Sequence, residues 1–126
     1  MKIVTDCAAD MPPAELDAYG VTQAPLWIQF PDGEVNSADL SADDFYDRLE
    51  AMRPVIPTTA QPSSGVFAQI YRSLAGVDPE ILSIHISSGL SGTINAARAG
   101  VEQADVQAKV VVWDTLTLSG GERYQV

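Results

Sequence analysis

Several features that would mark particular classes of protein are scarce or missing in this chain of 126 residues. It has one cysteine, Cys7, which excludes an internal disulfide and a multi-cysteine zinc site. No stretch approaches the roughly 18 consecutive apolar residues that a membrane helix requires, and no apolar signal-peptide core precedes the first strand. We therefore expect a cytoplasmic protein with no stable membrane insertion.

Basic residues are also few, at 7 against 17 acidic ones, so the formal charge is −10. The lysines and arginines are scattered along the chain, whereas a protein that binds phosphate backbones needs them in a stripe or patch. Nucleic acid is thereby excluded as a partner. The acidity is interpreted as a solvated surface, with a docking face for a basic partner as the alternative.

What the chain does have is an alternation of strand and helix patterns, in an ordinary composition that is 46% hydrophobic. This alternation predicts an α/β fold, a mostly parallel sheet with helices on both faces. A turn at Pro31-Asp32-Gly33 predicts a hairpin. The predicted strands are Lys2–Asp6, Val21–Phe30, Glu80–Ile86 and Lys109–Thr115, the last of them apolar enough to be buried on both faces.

Helix boundaries are indicated by capping residues and by apolar positions at helical spacing. Ser41 resembles the start of a capping box, and Gly20 and Gly76 are helix stops. Helices are predicted to begin at Pro12, at Ser41 and at Ser63 or Ser64, and the one from Ser41 has a buried stripe of Phe45, Leu49 and Met52. A further helix is predicted from the apolar face Leu90, Ile94, Ala97, Val101 and Ala104, and the last helix is predicted over Leu116–Val126.

The segment Ser87–Thr93 is the strongest candidate for a functional site. It follows a buried strand and precedes a helix, so it offers hydroxyls and backbone N–H groups where an anion is well received. The absence of a following lysine rules out a Walker-type phosphate loop, and there is no Gly-x-Ser-x-Gly elbow. The alternative is simple helix capping by Ser88 or Ser91.

A second group of hydroxyls lies in Pro57–Ser63. Thr58 and Thr59 stand between two prolines, which would hold a hydrogen-bond donor in place at low entropic cost. Equally, they fit a loop in which the hydroxyls satisfy nearby backbone. The sequence leaves both interpretations open.

Taken together, four motifs resemble the DegV-like fatty acid-binding proteins of bacteria. They occur in the family's order and approximate spacing across nearly the whole chain. Cys7 and Ala60 depart from the pattern, since the family commonly has serine there. The four motifs are Ile3-Val4-Thr5-Asp6-Cys7-Ala8-Ala9-Asp10, Thr58-Thr59-Ala60-Gln61-Pro62-Ser63, Ile86-Ser87-Ser88-Gly89-Leu90-Ser91-Gly92-Thr93 and Asp114-Thr115-Leu116-Thr117-Leu118-Ser119-Gly120-Gly121.

The resemblance implies a non-catalytic protein that encloses a long-chain fatty acid and presents its carboxylate to a fatty acid kinase. It implies no metal and no cofactor beyond the bound lipid. Members are about twice this length, so residues 1–126 would be an N-terminal α/β lipid-binding domain without the C-terminal one. Thr59 and Ser91 would donate to the carboxylate, and the other implied ligand-binding residues are Thr58, Ser88, Gly89, Gly92 and Thr93.

Two enzymatic alternatives use other residues. His85 could join Ser91 and Asp114 in a hydrolase triad, although its place within an apolar strand favours a packed histidine. Asp6 and Asp10, with Asp114, could hold Mg²⁺ for phosphoryl transfer, but no nucleotide-binding loop accompanies them.

Overall fold

The structure is a computed structural model that describes residues 1–126. The chain divides into two compact units. The first comprises Met1–Ala24 and Pro62–Val126, and the second comprises Pro25–Gln61. No helix in the structure combines the length and apolar character needed to cross a bilayer.

A four-stranded parallel sheet forms the centre of the first unit. Its strands are β1 (Lys2–Asp6), β2 (Val21–Ala24), β6 (Glu80–His85) and β7 (Lys109–Asp114), in the order β2-β1-β6-β7. Because all four run the same way, their carboxyl ends lie along one edge. The predicted parallel α/β architecture is confirmed.

Helices α1 (Pro13–Tyr19), α3 (Ser64–Ala75), α4 (Thr93–Ala104) and the short α5 (Gly120–Arg123) complete this unit. Along the sheet, the connection from β1 to β2 runs in one direction, and the connections from β2 to β6 and from β6 to β7 run in the opposite direction. Right-handed connections therefore place α1 on one face and α3 and α4 on the other. The core forms where α3 and α4 pack on the sheet, around Val4, Phe67, Tyr71, Ile81 and Ala97.

The second unit is a three-stranded antiparallel sheet with one helix. Strands β3 (Trp27–Phe30), β4 (Gly33–Asn36) and β5 (Thr58–Ala60) are ordered β4-β3-β5, and α2 spans Ala42–Ala51. The predicted hairpin is confirmed, since Phe30 pairs with Gly33 across a two-residue turn. Arg48 of α2 lies 3.8 Å above the Phe30 ring and pairs with Asp32.

Most predicted helix boundaries are confirmed by the backbone contacts. Ser41 Oγ accepts from the Asp44 amide at 3.1 Å, and Ser63 Oγ accepts from the Val66 amide at 3.3 Å. Gly20 ends α1 with φ +64°, which a residue with a Cβ adopts only at a cost. In the α2 stripe, Phe45, Leu49 and Met52 are half-buried rather than buried.

Several predicted elements are wrong in detail. Val21–Phe30 is not one strand, because it divides around Pro25, which has no N–H to donate, into β2 and β3 of different sheets. Strand β7 is an edge strand, and Val111 and Trp113 are exposed rather than buried. Leu90 precedes α4 and is exposed, and the helix predicted over Leu116–Val126 is confined to Gly120–Arg123.

Candidate functional site

The predicted site segment Ser87–Thr93 lies at the carboxyl edge of the parallel sheet, directly after β6. Three hydrogen bonds attach its start to the end of β1, the end of β7 and the loop that follows β7. The Ile86 amide donates to Asp6 Oδ2 at 3.1 Å, and the Ser88 amide donates to Asp114 Oδ1 at 3.2 Å. The Ser87 amide donates to the Thr117 carbonyl at 2.9 Å. This edge brings together Asp6, Asp114 and the hydroxyl-rich segment.

Within the segment, Ser87 accepts hydrogen bonds from three backbone amides that follow Ser88. Its Oγ accepts from the Gly89 amide at 3.2 Å, and its carbonyl accepts from the amides of Leu90 and Ser91. The Gly89 amide is therefore already hydrogen-bonded within the protein. Neither Gly89 nor Gly92 has positive φ, so the left-handed conformation that glycine would permit here is not used.

Ser91 and Thr93 form a pair at the start of α4. Their hydroxyl oxygens are 2.9 Å apart, and Ser91 Oγ also accepts from the Thr93 amide at 3.2 Å. Thr93 is 3% exposed, whereas Ser91 is half-buried. When Thr93 donates to Ser91, the hydrogen of the Ser91 hydroxyl is left for an external acceptor. The amides of Asn95 and Ala96 return to the Gly92 carbonyl, which leaves the Ile94 amide as the further donor of this turn.

Ser88 is engaged differently, because both its amide and its hydroxyl serve Asp114. The hydrogen bond from the Ser88 hydroxyl, with those from the amides of Leu116 and Ser88, lowers the pKa of Asp114. Asp114 is therefore ionised at neutral pH. Its negative charge lies beside Ser88 and is partly offset by the charge of Arg98, whereas Ser91 is hydrogen-bonded to Thr93 and not to a carboxylate.

Behind this edge lies a buried chain of polar side chains. His85 Nδ1 is 2.9 Å from Asp6 Oδ2, His85 Nε2 is 2.7 Å from Ser83 Oγ, and Ser83 Oγ is 2.8 Å from the Tyr71 hydroxyl. Both oxygens of the Asp6 side chain accept from backbone amides, so the hydrogen of the contact with His85 is on Nδ1. Burial raises the pKa of Tyr71 to about 12, so the phenol is neutral.

These contacts bear on both enzymatic alternatives. His85 is fully buried and uses both ring nitrogens on Ser83 and Asp6, so it forms no triad with Ser91 and Asp114. The carboxylate of Asp6 accepts from His85, from the Ile86 amide and, at 2.9 Å, from the Ala8 amide. Asp6 thus serves as an internal acceptor that joins β1 to β6, while Asp10 is exposed in a left-handed turn.

Glu122 of α5 is a buried residue that sequence reasoning did not identify. It is fully buried, its Oε1 accepts from the Thr5 hydroxyl at 3.3 Å, and its Oε2 has no partner. Burial raises its pKa to about 8, with further contributions from the charge of Asp6, from a hydrogen-bonding contact with Asp6 and from the charge of Asp10. Glu122 is therefore protonated at neutral pH.

The other predicted hydroxyls, Thr58 and Thr59, belong to the second unit. They lie on β5, where Thr59 pairs with Ile28 and Thr58 with Gln29 of β3, so the predicted loop is a strand here. Both side chains are exposed, and neither hydroxyl bonds to the protein, which removes the interpretation in which they satisfy nearby backbone. Since adjacent residues of a strand point to opposite faces, only one of them can serve a given ligand.

One signal in the sequence could have revealed the buried chain. Ser83 and His85 are two residues apart in an otherwise apolar strand, so they share one face. Polar side chains on a buried face require hydrogen-bond partners, which here are Tyr71 and Asp6. No comparable local signal exists for Glu122.

The fold and the site together define a class: an α/β protein in which a hydroxyl- and glycine-rich segment without lysine or arginine follows a central strand at the carboxyl edge of the parallel sheet. The sequence profile described as an uncharacterised protein family, the DegV family, matches residues 1–126. The chain belongs to the DegV family.

Individual relatives agree with this assignment. A DegV domain-containing protein of Deinococcus radiodurans is 39% identical over 123 residues, which are 96% of this chain and 43% of that protein. A stearic acid-binding protein of Eubacterium ventriosum has a structure that matches with a TM-score of 0.89 at 25% identity, over 98% of this chain and 44% of its own. DegV of Bacillus subtilis, a fatty acid-binding protein, matches with a TM-score of 0.87 at 26% identity, over 98% and 43%. This chain thus spans less than half the length of each.

Proposed function

We propose that this protein binds a long-chain fatty acid and holds the carboxylate with uncharged donors, among them the hydroxyls of Ser91 and Thr59. The observation that carries the proposal is the Ser91–Thr93 pair, which leaves one hydroxyl hydrogen for an external acceptor at the start of a twelve-residue helix. The fatty acid-binding relatives of the same fold support the choice of ligand.

The segment is suited to binding a carboxylate that stays ionised while it is shielded from water. Residues 87–93 contain no lysine or arginine, so the anion is held by hydroxyl and amide hydrogens and by the start of α4. Such donors matter because an unpaired buried carboxylate is very costly. Ser91, the Gly92 backbone and the buried Thr93 form the centre of the proposed contact, while Ser88 and Gly89 shape the turn.

The hydrocarbon tail supplies most of the binding free energy. Burying a chain of roughly sixteen carbons, at about 0.8 kcal/mol per methylene, gives on the order of 12 kcal/mol before the costs of association. The head group then sets orientation and selectivity. We place residues 1–126 as the N-terminal lipid-binding domain of a longer cytoplasmic protein.

The protein in this proposal is a carrier rather than an enzyme. It presents the carboxylate to a separate fatty acid kinase, which would phosphorylate it. The burial of His85 and its contacts with Ser83 and Asp6 support a carrier, because they remove the base that a serine hydrolase at Ser91 would need.

Native mass spectrometry of the protein encoded by the complete gene, purified from bacteria, tests the proposal. We expect a co-purifying mass equal to a C16–C18 acid and, after delipidation, calorimetric binding of palmitate or oleate. Methyl palmitate is the matched control, since it keeps the tail and removes the anionic head. An empty protein that refuses both acids would overturn the proposal, and stoichiometric fluorophosphonate labelling of Ser91 would favour the hydrolase instead.

A further inference from the structure

We propose that Glu122 is a positioning residue for the Ser87–Thr93 segment, and that Glu122 and Asp6 hold a single proton between them. The inference rests on the proposed function where it concerns ligand affinity. Its structural part, the shared proton and the tethering of the segment, is independent of any ligand.

The geometry of Glu122 calls for a proton. Its Oε2 is buried and receives no hydrogen bond, and the group that faces the side chain is the carboxylate of Asp6, an acceptor. Two ionised carboxylates cannot hydrogen-bond to each other, and a buried unpaired charge is costly. A neutral Glu122 carboxyl supplies the missing hydrogen and donates it to Asp6. The orphan atom is thereby explained without any ligand.

Asp6 connects Glu122 to the Ser87–Thr93 segment. Its carboxylate is fixed by His85 Nδ1, the Ala8 amide and the Ile86 amide, and the last of these directly precedes Ser87. If Glu122 loses its proton, two negative charges meet in a dehydrated place. Asp6 and α5 would then separate, and the tie at Ile86 would weaken.

A second connection joins the same elements through the backbone. The Ser119 amide, just before α5, donates to the Ala8 carbonyl at 2.7 Å, and the Ser87 amide donates to the Thr117 carbonyl at 2.9 Å. Movement of α5 away from Asp6 would therefore disturb both of these backbone hydrogen bonds. Glu122 touches no ligand in this proposal and acts only through these contacts.

The groups facing Glu122 are consistent with one proton and no counter-cation. Asp6 and Asp10 both act on it with negative charge, and the neutral Thr5 hydroxyl donates to it. His85 faces Asp6 rather than Glu122. Arg123, the next residue of α5, pairs with Glu15 of α1, and Cys7 lies in the adjoining 3₁₀ turn.

The ligand-free test is amide hydrogen exchange of Ile86 and Ser87 in the protein encoded by the complete gene, expressed as protection factors from pH 6 to 9.5. Because the closed state holds the proton of Glu122 and the open state does not, we expect wild-type protection to fall by up to about tenfold per pH unit as pH rises to the midpoint of Glu122 and to level off above it, whereas Glu122→Gln should show no such slope. Glu102→Gln, an exposed glutamate of α4, should behave as the wild type. A flat wild-type profile would overturn the proposal, even if Glu122→Gln failed to fold.

The ligand-dependent test is palmitate affinity over the same pH range, where the fatty acid itself remains ionised. Wild-type affinity should fall by about tenfold between pH 7 and 9.5, while Glu122→Gln should hold its pH 7 value. Pronounced palmitate binding with identical pH profiles in the two proteins would contradict the positioning role and leave the proposed function intact. Absence of binding at every pH would contradict the proposed function, and the exchange experiment would still judge Glu122.

Discussion

His85 Nδ1 and Asp6 Oδ2 lie 2.9 Å apart although 79 positions separate the two residues in the chain. The contact joins the carboxyl ends of β1 and β6, the central strands of the parallel sheet, where the candidate site begins. Because both residues are buried, this hydrogen bond is protected from solvent, and its removal cannot be compensated by water.

Replacing Asp6 with alanine is therefore expected to be strongly destabilising. The change leaves His85 Nδ1 and the amides of Ala8 and Ile86 without their acceptor, a loss of about 3–5 kcal/mol in the free energy of unfolding. Urea denaturation followed by circular dichroism measures it. Asp17→Asn on the exposed side of α1 should change stability by less than about 0.5 kcal/mol. Equal stability of Asp6→Ala and wild type would refute the role given to Asp6.

Gly100 marks the closest approach of α3 and α4. A Cβ at this position would lie 2.5 Å from Phe67 Cβ and 3.1 Å from the Ser64 carbonyl oxygen. Gly100→Ala should lower the free energy of unfolding by about 1–3 kcal/mol, because the overpacking outweighs the helix propensity of alanine. Gly65→Ala in α3 is the matched control, since its nearest neighbour is 3.7 Å away, and it should be neutral or slightly stabilising. The ranking of the two variants in thermal unfolding decides the matter.

Stability should fall with rising pH across the range in which Glu122 titrates. The pKa of Glu122 is about 8 in the folded protein and near 4.5 when unfolded, so between these values the native state binds the extra proton. The resulting stabilisation is complete below about pH 4.5 and is lost as pH rises through about 8. Urea midpoints at pH 5, 7 and 9 should decline less in Glu122→Gln than in wild type. Parallel declines in both proteins would assign the pH dependence to other groups.

Substitution of Ser91 or Thr59 should weaken ligand binding, whereas substitution of the neighbouring Thr58 should not. Ser91→Ala and Thr59→Val each remove one proposed donor, so palmitate affinity should fall by about tenfold, or about 1.4 kcal/mol. Thr58→Val is the control on the opposite face of β5 and should retain affinity. Calorimetry on delipidated protein measures all three. Unchanged affinity in both Ser91→Ala and Thr59→Val, with Thr58→Val weakened, would move the proposed contact to Thr58.

The parts of the fold predicted from the sequence are those decided by local chemistry. Ser41 and Ser63 cap their helices, and the Pro31-Asp32 turn closes its hairpin, because each depends on residues within four positions. The break at Pro25 was missed because both sides have strand-like patterns and only their partners differ. Strand β7 was misjudged because burial of an apolar edge strand depends on what covers it.

The same division applies to the candidate site. Ser87–Thr93 could be placed from the strand that precedes it, and the parallel topology brought Asp6 and Asp114 alongside. Thr59 was taken for a loop residue because its strand exists only through pairing with Ile28. Glu122 could not be found, because its burial depends on Thr5 and Asp6, more than a hundred residues earlier in the chain.

The two tryptophans of the chain fall one in each unit, with Trp27 on β3 and Trp113 on β7. Trp113 donates its indole hydrogen to Gln125 at 2.9 Å, so its emission is sensitive to the order of the last residues. Two single-tryptophan variants, Trp27→Phe and Trp113→Phe, would consequently report separately on the melting of each unit. The intrinsic fluorescence of the two tryptophans is sufficient for this measurement, and no dye needs to be attached.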